Sequence, residues 1–133
     1  MRSSLIALGA AIALAGCLAS QAALAAAGDG RDTCFPSENW EGWKSPAPNV
    51  IFIRVNLHDV YRLDLSAGSS LLQDPDVHLV NRMWGGGDYI CTPLDFDLTV
   101  VEDMGGMREP LIVRSITRLT PAEIAAIPPK YRP

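Results

Sequence analysis

The chain predicts a small, mainly β domain: a curved antiparallel sheet or partly open barrel of five to six strands, with one short C-terminal helix packed on it. Three observations carry that expectation. Apolar and polar residues alternate with a period of two along residues 50–57 and again along 60–65, as half-buried strands require. Further short β-branched and aromatic runs recur between Gly-, Pro- and Asp-bearing breaks. A capped helical segment occurs once, at Thr120–Glu123, near the end of the chain.

Each element follows from its residues. In 50–57, Ile51, Ile53, Val55 and Leu57 share one face and Arg54 and Asn56 the other. In 60–65, Tyr61, Leu63 and Leu65 oppose Val60, Arg62 and Asp64. The break at Leu57-His58-Asp59 makes these two strands a hairpin. Both apolar sets reach one core only if the loop has an odd number of residues, because a one-residue slip flips a whole face. The expected register sets Ile53 opposite Leu63. Residues 66–75 are a polar loop. Residues 77–84 form a third strand, Gly85-Gly86-Gly87-Asp88 a turn, and Tyr89-Ile90-Cys91 a fourth strand bounded by Pro93. Phe96, Leu98 and Val100 alternate with Asp95, Asp97 and Thr99 in a fifth. Met104-Gly105-Gly106 turns the chain, and residues 111–117 form the sixth.

The two ends of the domain are less regular. Residues 31–49 carry Cys34, Trp40, Trp43, Pro46 and Pro48. They predict an irregular lid with one helical turn near Ser37, because the prolines forbid a longer one. At the other end Thr120 is an N-cap, Pro121 fits the first helical position, and Glu123 completes a capping box. Leu119 and Ile124 are spaced as a hydrophobic staple. Pro128-Pro129 stops the helix. So short a helix does not hold itself in water, so Ile124 and Ile127 are expected to dock on the sheet.

The first thirty residues set the compartment. A short basic start, Met1-Arg2, precedes an apolar stretch from Leu5 to Leu14 and the run Leu14-Ala15-Gly16-Cys17. A small residue before a cysteine behind such a stretch is the pattern of a bacterial lipoprotein signal, with Cys17 taking the lipid. The stretch is shorter than the roughly 20 apolar residues that span a bilayer. Ala23-Leu24-Ala25 and Ala25-Ala26-Ala27 also fit ordinary secretory cleavage, which would discard Cys17 and leave a soluble periplasmic or secreted protein. An uncleaved anchor is the third alternative. The expected organisation is a signal peptide over 1–17, an Ala/Gly-rich tether over 18–30, and a single β-rich domain over 31–133. All three alternatives place the domain outside the cytoplasm.

Composition excludes some partners. The formal charge of the 133 residues is −4, and losing Arg2 with the leader makes it more negative. A mildly acidic surface without a basic cluster opposes nucleic-acid binding. The expected partners are therefore the membrane, through a lipid anchor, and an envelope protein or ligand. Two cysteines remain beyond Cys17, Cys34 and Cys91, and in an oxidising envelope they are expected to pair. Closing that loop adds roughly 3–4 kcal/mol by chain entropy.

From Cys34 onward the sequence resembles a family of small proteobacterial envelope proteins of unknown function. The matching pieces are Cys34-Phe35, Gly42-Trp43, Val60-Tyr61-Arg62-Leu63, Ile90-Cys91 with Leu94-Asp95, and Val113, Ile116 and Leu119-Thr120-Pro121-Ala122-Glu123. They span most of residues 31–127. Members usually carry a lipoprotein-like leader, which favours lipidation at Cys17. Relatives often have four cysteines after the leader. The second would fall near Ser69-Ser70 and the fourth near Glu109-Pro110, and this chain has neither. The resemblance then implies that the missing two pair with each other and that Cys34 pairs with Cys91. It implies no activity, substrate, cofactor or catalytic residue.

Weighed one by one, the chemistry-bearing residues favour a non-enzymatic role. Asp95 and Asp97, two apart on a strand, would share one face as a solvated pair, without the further oxygen ligands that Ca²⁺ requires. His58 and His78 are the only imidazoles; no Gly-x-Ser-x-Gly elbow accompanies them, and with the cysteines paired they are too few for zinc. The glycines at 85–87 lack a phosphate-loop spacing. Phe35, Trp40 and Trp43 remain as a possible binding patch for an inhibitor or ligand-binding module, against the alternative that they cap the open end of the sheet beside the disulfide. No cofactor is implied. The expectation is a non-enzymatic envelope protein.

Overall fold

A computed structural model describes residues 34–83 and 87–133. The expected leader with Cys17, the expected tether, and Trp84-Gly85-Gly86 lie outside the described residues. The fold is mainly β, as expected. Nine strands in three antiparallel sheets are described, more than the five or six expected, with one short helix and no closed barrel.

The four-stranded sheet has the order β2-β3-β4-β9: β2 is Trp40–Ala47, β3 Val50–Val55, β4 Asp59–Leu65 and β9 Val113–Arg118. The three-stranded sheet has the order β5-β7-β8: β5 is Val77–Asn81, β7 Leu98–Glu102 and β8 Arg108–Leu111. A two-stranded ribbon pairs β1, Phe35–Pro36, with β6, Tyr89–Ile90. Helix α1 spans Pro121–Ala126.

The β3–β4 hairpin forms because its two alternating runs put Ile51, Ile53, Val55, Tyr61, Leu63 and Leu65 on one buried face. Its loop is Asn56-Leu57-His58, odd in number as the facing rule demands. The register is two residues from the expected one: Ile53 lies opposite Tyr61, and Leu63 opposite Ile51. A shift of two keeps every face, so the core is unaffected. Asn56 turns the chain at φ 54°, a left-handed conformation that Asn tolerates better than most residues. Leu57 therefore leaves the strand and stands 74% exposed.

The lid expected over residues 31–49 is corrected. One 3₁₀ turn does form, at Ser37–Asn39. Beyond it the chain runs as β2, an edge strand with two irregularities against β3. Edges are where a strand accommodates proline, and Pro46 falls at the second irregularity.

The expected sixth strand is really two. Leu111 pairs with Leu98 in one sheet, and Val113 pairs with Leu65 in the other. Ile112 stands between them, 69% exposed, its carbonyl accepting from the N–H of Ser66. Here the chain crosses from sheet to sheet, as strands do at the corners of packed sheets. Both sheets thus feed one core: Ile53, Leu63, Leu98, Val100, Leu111 and Val113 belong to it, with Phe35 and Ile90 from the ribbon. Cys34 and Cys91 are joined by a disulfide at the end of that ribbon. This agrees with the expected pairing.

Two smaller expectations change. Asp95 and Asp97 are not a strand-face pair. Pro93–Asp95 is a 3₁₀ turn, and β7 begins only at Leu98. The helix forms with its capping box, Thr120 N–H donating to Glu123 at 2.8 Å and Glu123 N–H to the Thr120 hydroxyl at 3.3 Å. Its docking residue is Ile127, 6% exposed, whereas Ile124 is only half-buried. Ser69 and Glu109, forty residues apart in the chain, are neighbours here. The hydroxyl of Ser69, 1% exposed, donates to Glu109 at 2.6 Å.

Candidate functional site

The bulges of β2 decide where its tryptophans point. Trp40 lies opposite Val55 and Trp43 opposite Ile53, so three steps on β2 match two on β3. The extra residue is taken up at Glu41 as a β-bulge. Without it, residues three apart would face opposite sides of the sheet. With it, Trp40 and Trp43 both lie on the core side, half-buried against the apolar cluster. The Trp40 ring meets Phe96 edge-on at 6.4 Å, and its indole N–H donates to the Gly42 carbonyl at 3.0 Å.

These rings floor a groove. Along β5, Leu79 and Asn81 turn to the same side, and with Met83 they face Trp40 and Trp43 across a space of about 360 Å³. Ser37, Glu38 and Glu41 rim that end. A second space of about 380 Å³ continues from Trp43 past Lys44, Val77 and Gln73 to Lys130 and Tyr131. Trp43 belongs to both, so together they follow the line between β2 and β5. Each of those strands is an edge of its own sheet, and they do not pair with each other. One end of the groove carries Glu38 and Glu41, and the other carries Lys44 and Lys130 beside Asp74. The Arg54 Nε lies 3.2 Å from Glu41.

Of the three aromatic residues expected to form a patch, the structure brings two together. Phe35 is excluded from the groove: it is 2% exposed and packs on Tyr61 with ring centroids 4.8 Å apart. Leu79 and Met83 take its place. They escape sequence reasoning because they come from β5 and the segment just after it, some forty residues along the chain. Trp40 and Trp43 partly satisfy the capping alternative too, since their inner faces cover the core.

Several titratable residues have structural partners. Asp95 accepts from the backbone N–H groups of Cys91 at 2.9 Å and Thr92 at 2.7 Å, which hold its carboxyl below the usual aspartate range. It fastens the turn that follows the disulfide. Burial pushes Asp64 up, but hydrogen bonds from Arg62 and Ser115 outweigh it and the net shift is downward. The N–H and hydroxyl of Thr120 likewise lower Glu123. His78 contacts Asp103 at 2.5 Å on an exposed surface, on the side of β5 opposite Leu79. His58 stands on the hairpin loop, and its neighbour Asp59 is engaged by Arg118 at 2.7 Å. Among the described residues, no group of three His, Cys, Asp or Glu side chains is placed to hold a metal ion.

The domain thus belongs, by its architecture, to the class of small disulfide-clamped β proteins with a groove between sheet edges. Comparison with known proteins finds no matching family model, no matching curated protein and no matching solved structure.

Proposed function

We propose that this chain is a non-enzymatic cell-envelope protein, tethered by lipid at Cys17, whose folded domain binds a partner or ligand in the Trp43 groove. The groove itself carries the binding half of this proposal: an aromatic floor set between two sheet edges that do not pair. In this view the strand order β2-β3-β4-β9, continued through Ile112 into β8-β7-β5, is a partly open barrel whose slit is the groove. Ligand sites favour such concave, largely apolar places with a few polar groups on the rim. The Leu14-Ala15-Gly16-Cys17 run supports the tether. The Ser69–Glu109 contact supports the resemblance to the envelope family, because it joins the two places where that family's extra cysteines would fall.

Two measurements test the proposal. Cys17→Ala should release the protein from membranes or block its processing; a wild-type protein that is soluble with an N-terminus near Ala26 supports ordinary secretion instead. Crosslinking in intact envelopes, followed by mass spectrometry, should capture a partner through a photoreactive group at Glu41. A control group at Ile112, on the sheet crossing, should not capture it. Equal capture at both positions would remove the groove from the function.

A further inference from the structure

We infer that the groove takes an extended peptide, which adds as a strand between β2 and β5; this rests on the groove being the binding site. Both flanking strands are hydrogen-bonded on one side only, and an edge strand offers a row of backbone donors and acceptors to an incoming chain. Two carbonyls of β2 already draw side-chain donors: Gly42 O takes the Trp40 indole N–H at 3.0 Å, and Ser45 O takes Gln73 Nε2 at 3.5 Å. An incoming strand would have to displace those donors.

The floor and rim specify the peptide further. Trp40, Trp43, Leu79 and Met83 lie on the inner side of the groove, where alternate side chains of a strand would insert. The other side chains would face solvent. Glu38 and Glu41 rim one end, and Lys44 and Lys130 the other. Charge complementarity therefore favours a peptide with alternating apolar residues, a basic residue over Glu38 and an acidic residue towards Lys130. Backbone hydrogen bonds would supply affinity, and the alternate side chains and end charges would supply selectivity.

The probe is a random octapeptide library panned on the mature protein, with selected peptides synthesised in normal form and N-methylated at alternate residues. Selected peptides should alternate apolar and polar residues and slow amide exchange along β2 or β5. N-methylation should weaken binding by about tenfold or more, as the loss of a backbone hydrogen bond allows. Glu38→Lys, at an exposed position outside the core, should abolish the preference for a basic residue at that end. Peptides that bind equally well when N-methylated, yet lose binding in Trp43→Ala, would overturn strand addition and leave the groove reading intact. Peptides indifferent to Trp43→Ala would overturn both. Failure to enrich any alternating peptide overturns strand addition. So does protection of the edge amides before peptide is added, because the groove is then filled by the chain's own residues or a second copy.

Discussion

Strand β3 alternates without a break and buries Val50, Ile51, Ile53 and Val55, whereas β2, its hydrogen-bonded neighbour, is irregular at two places and buries only Ser45. The two strands share one sheet and differ in what they face. β3 is covered on both edges, by β2 and β4, and its alternation keeps one apolar face on the core. β2 is paired on one edge only, and its extra residues twist and re-aim the chain. The bulge that costs β2 its regularity also puts two tryptophans side by side on the groove floor. In this molecule regularity builds the core, and irregularity at an edge builds the groove.

The largest effect should come from the disulfide at the end of the β1–β6 ribbon. Replacing Cys34 and Cys91 with serine should lower stability by roughly 3–4 kcal/mol in urea unfolding. An unchanged midpoint would show that the β1–β6 ribbon holds without its disulfide.

Ile53→Ala comes next, at about 3 kcal/mol, because its side chain is fully buried at the centre of β3. Trp43→Ala, directly opposite on β2, should cost less, about 1–2 kcal/mol, since its side chain is only partly buried. It should abolish groove binding that Ile53→Val retains. A stability loss at Trp43 equal to that at Ile53 would mean that β2 belongs to the core as fully as β3 does.

Smaller effects sharpen the picture at the ends of the sheets. Thr120→Ala should cost about 1 kcal/mol by loss of the cap, measured by thermal unfolding. Ile127→Ala should cost more than Ile124→Ala, because Ile127 is buried and Ile124 only half-buried.

The smallest effect is in pH dependence. Asp64 and Asp95 have folded pKa values below their ordinary ones. Their stabilisation is present above the ordinary aspartate value of about 4 and is lost as pH falls through the lower folded values. Asp64→Asn should flatten the acid side of the stability curve, and Asp95→Asn should flatten it too while loosening the turn after Cys91. An unaltered acid slope in both variants would assign the acid sensitivity to other carboxylates.

The chain's own residues determined much of the scaffold, where the forces are local or strictly periodic. The alternation of Ile51, Ile53 and Val55 against Tyr61, Leu63 and Leu65 specifies a hairpin with an odd loop, since any other parity would bury Arg62. Thr120, Pro121 and Glu123 specify a helix start within four residues. Cys34 and Cys91, the two cysteines beyond Cys17, point to a bond. The spacing of Trp40 and Trp43 does not reveal a strand, because a bulge converts their three-residue separation into a shared face. Nor does the unbroken run around Leu111–Val113 reveal that it serves two sheets, since the crossing at Ile112 depends on where β4 and β7 already lie. Asp95 likewise becomes a backbone acceptor only once Cys91 is fixed. The groove is the least legible feature of all. Trp43 and Leu79 meet across a gap between separate sheets, and sequence periodicity records which face a residue takes within its own strand, not which distant edge it will confront.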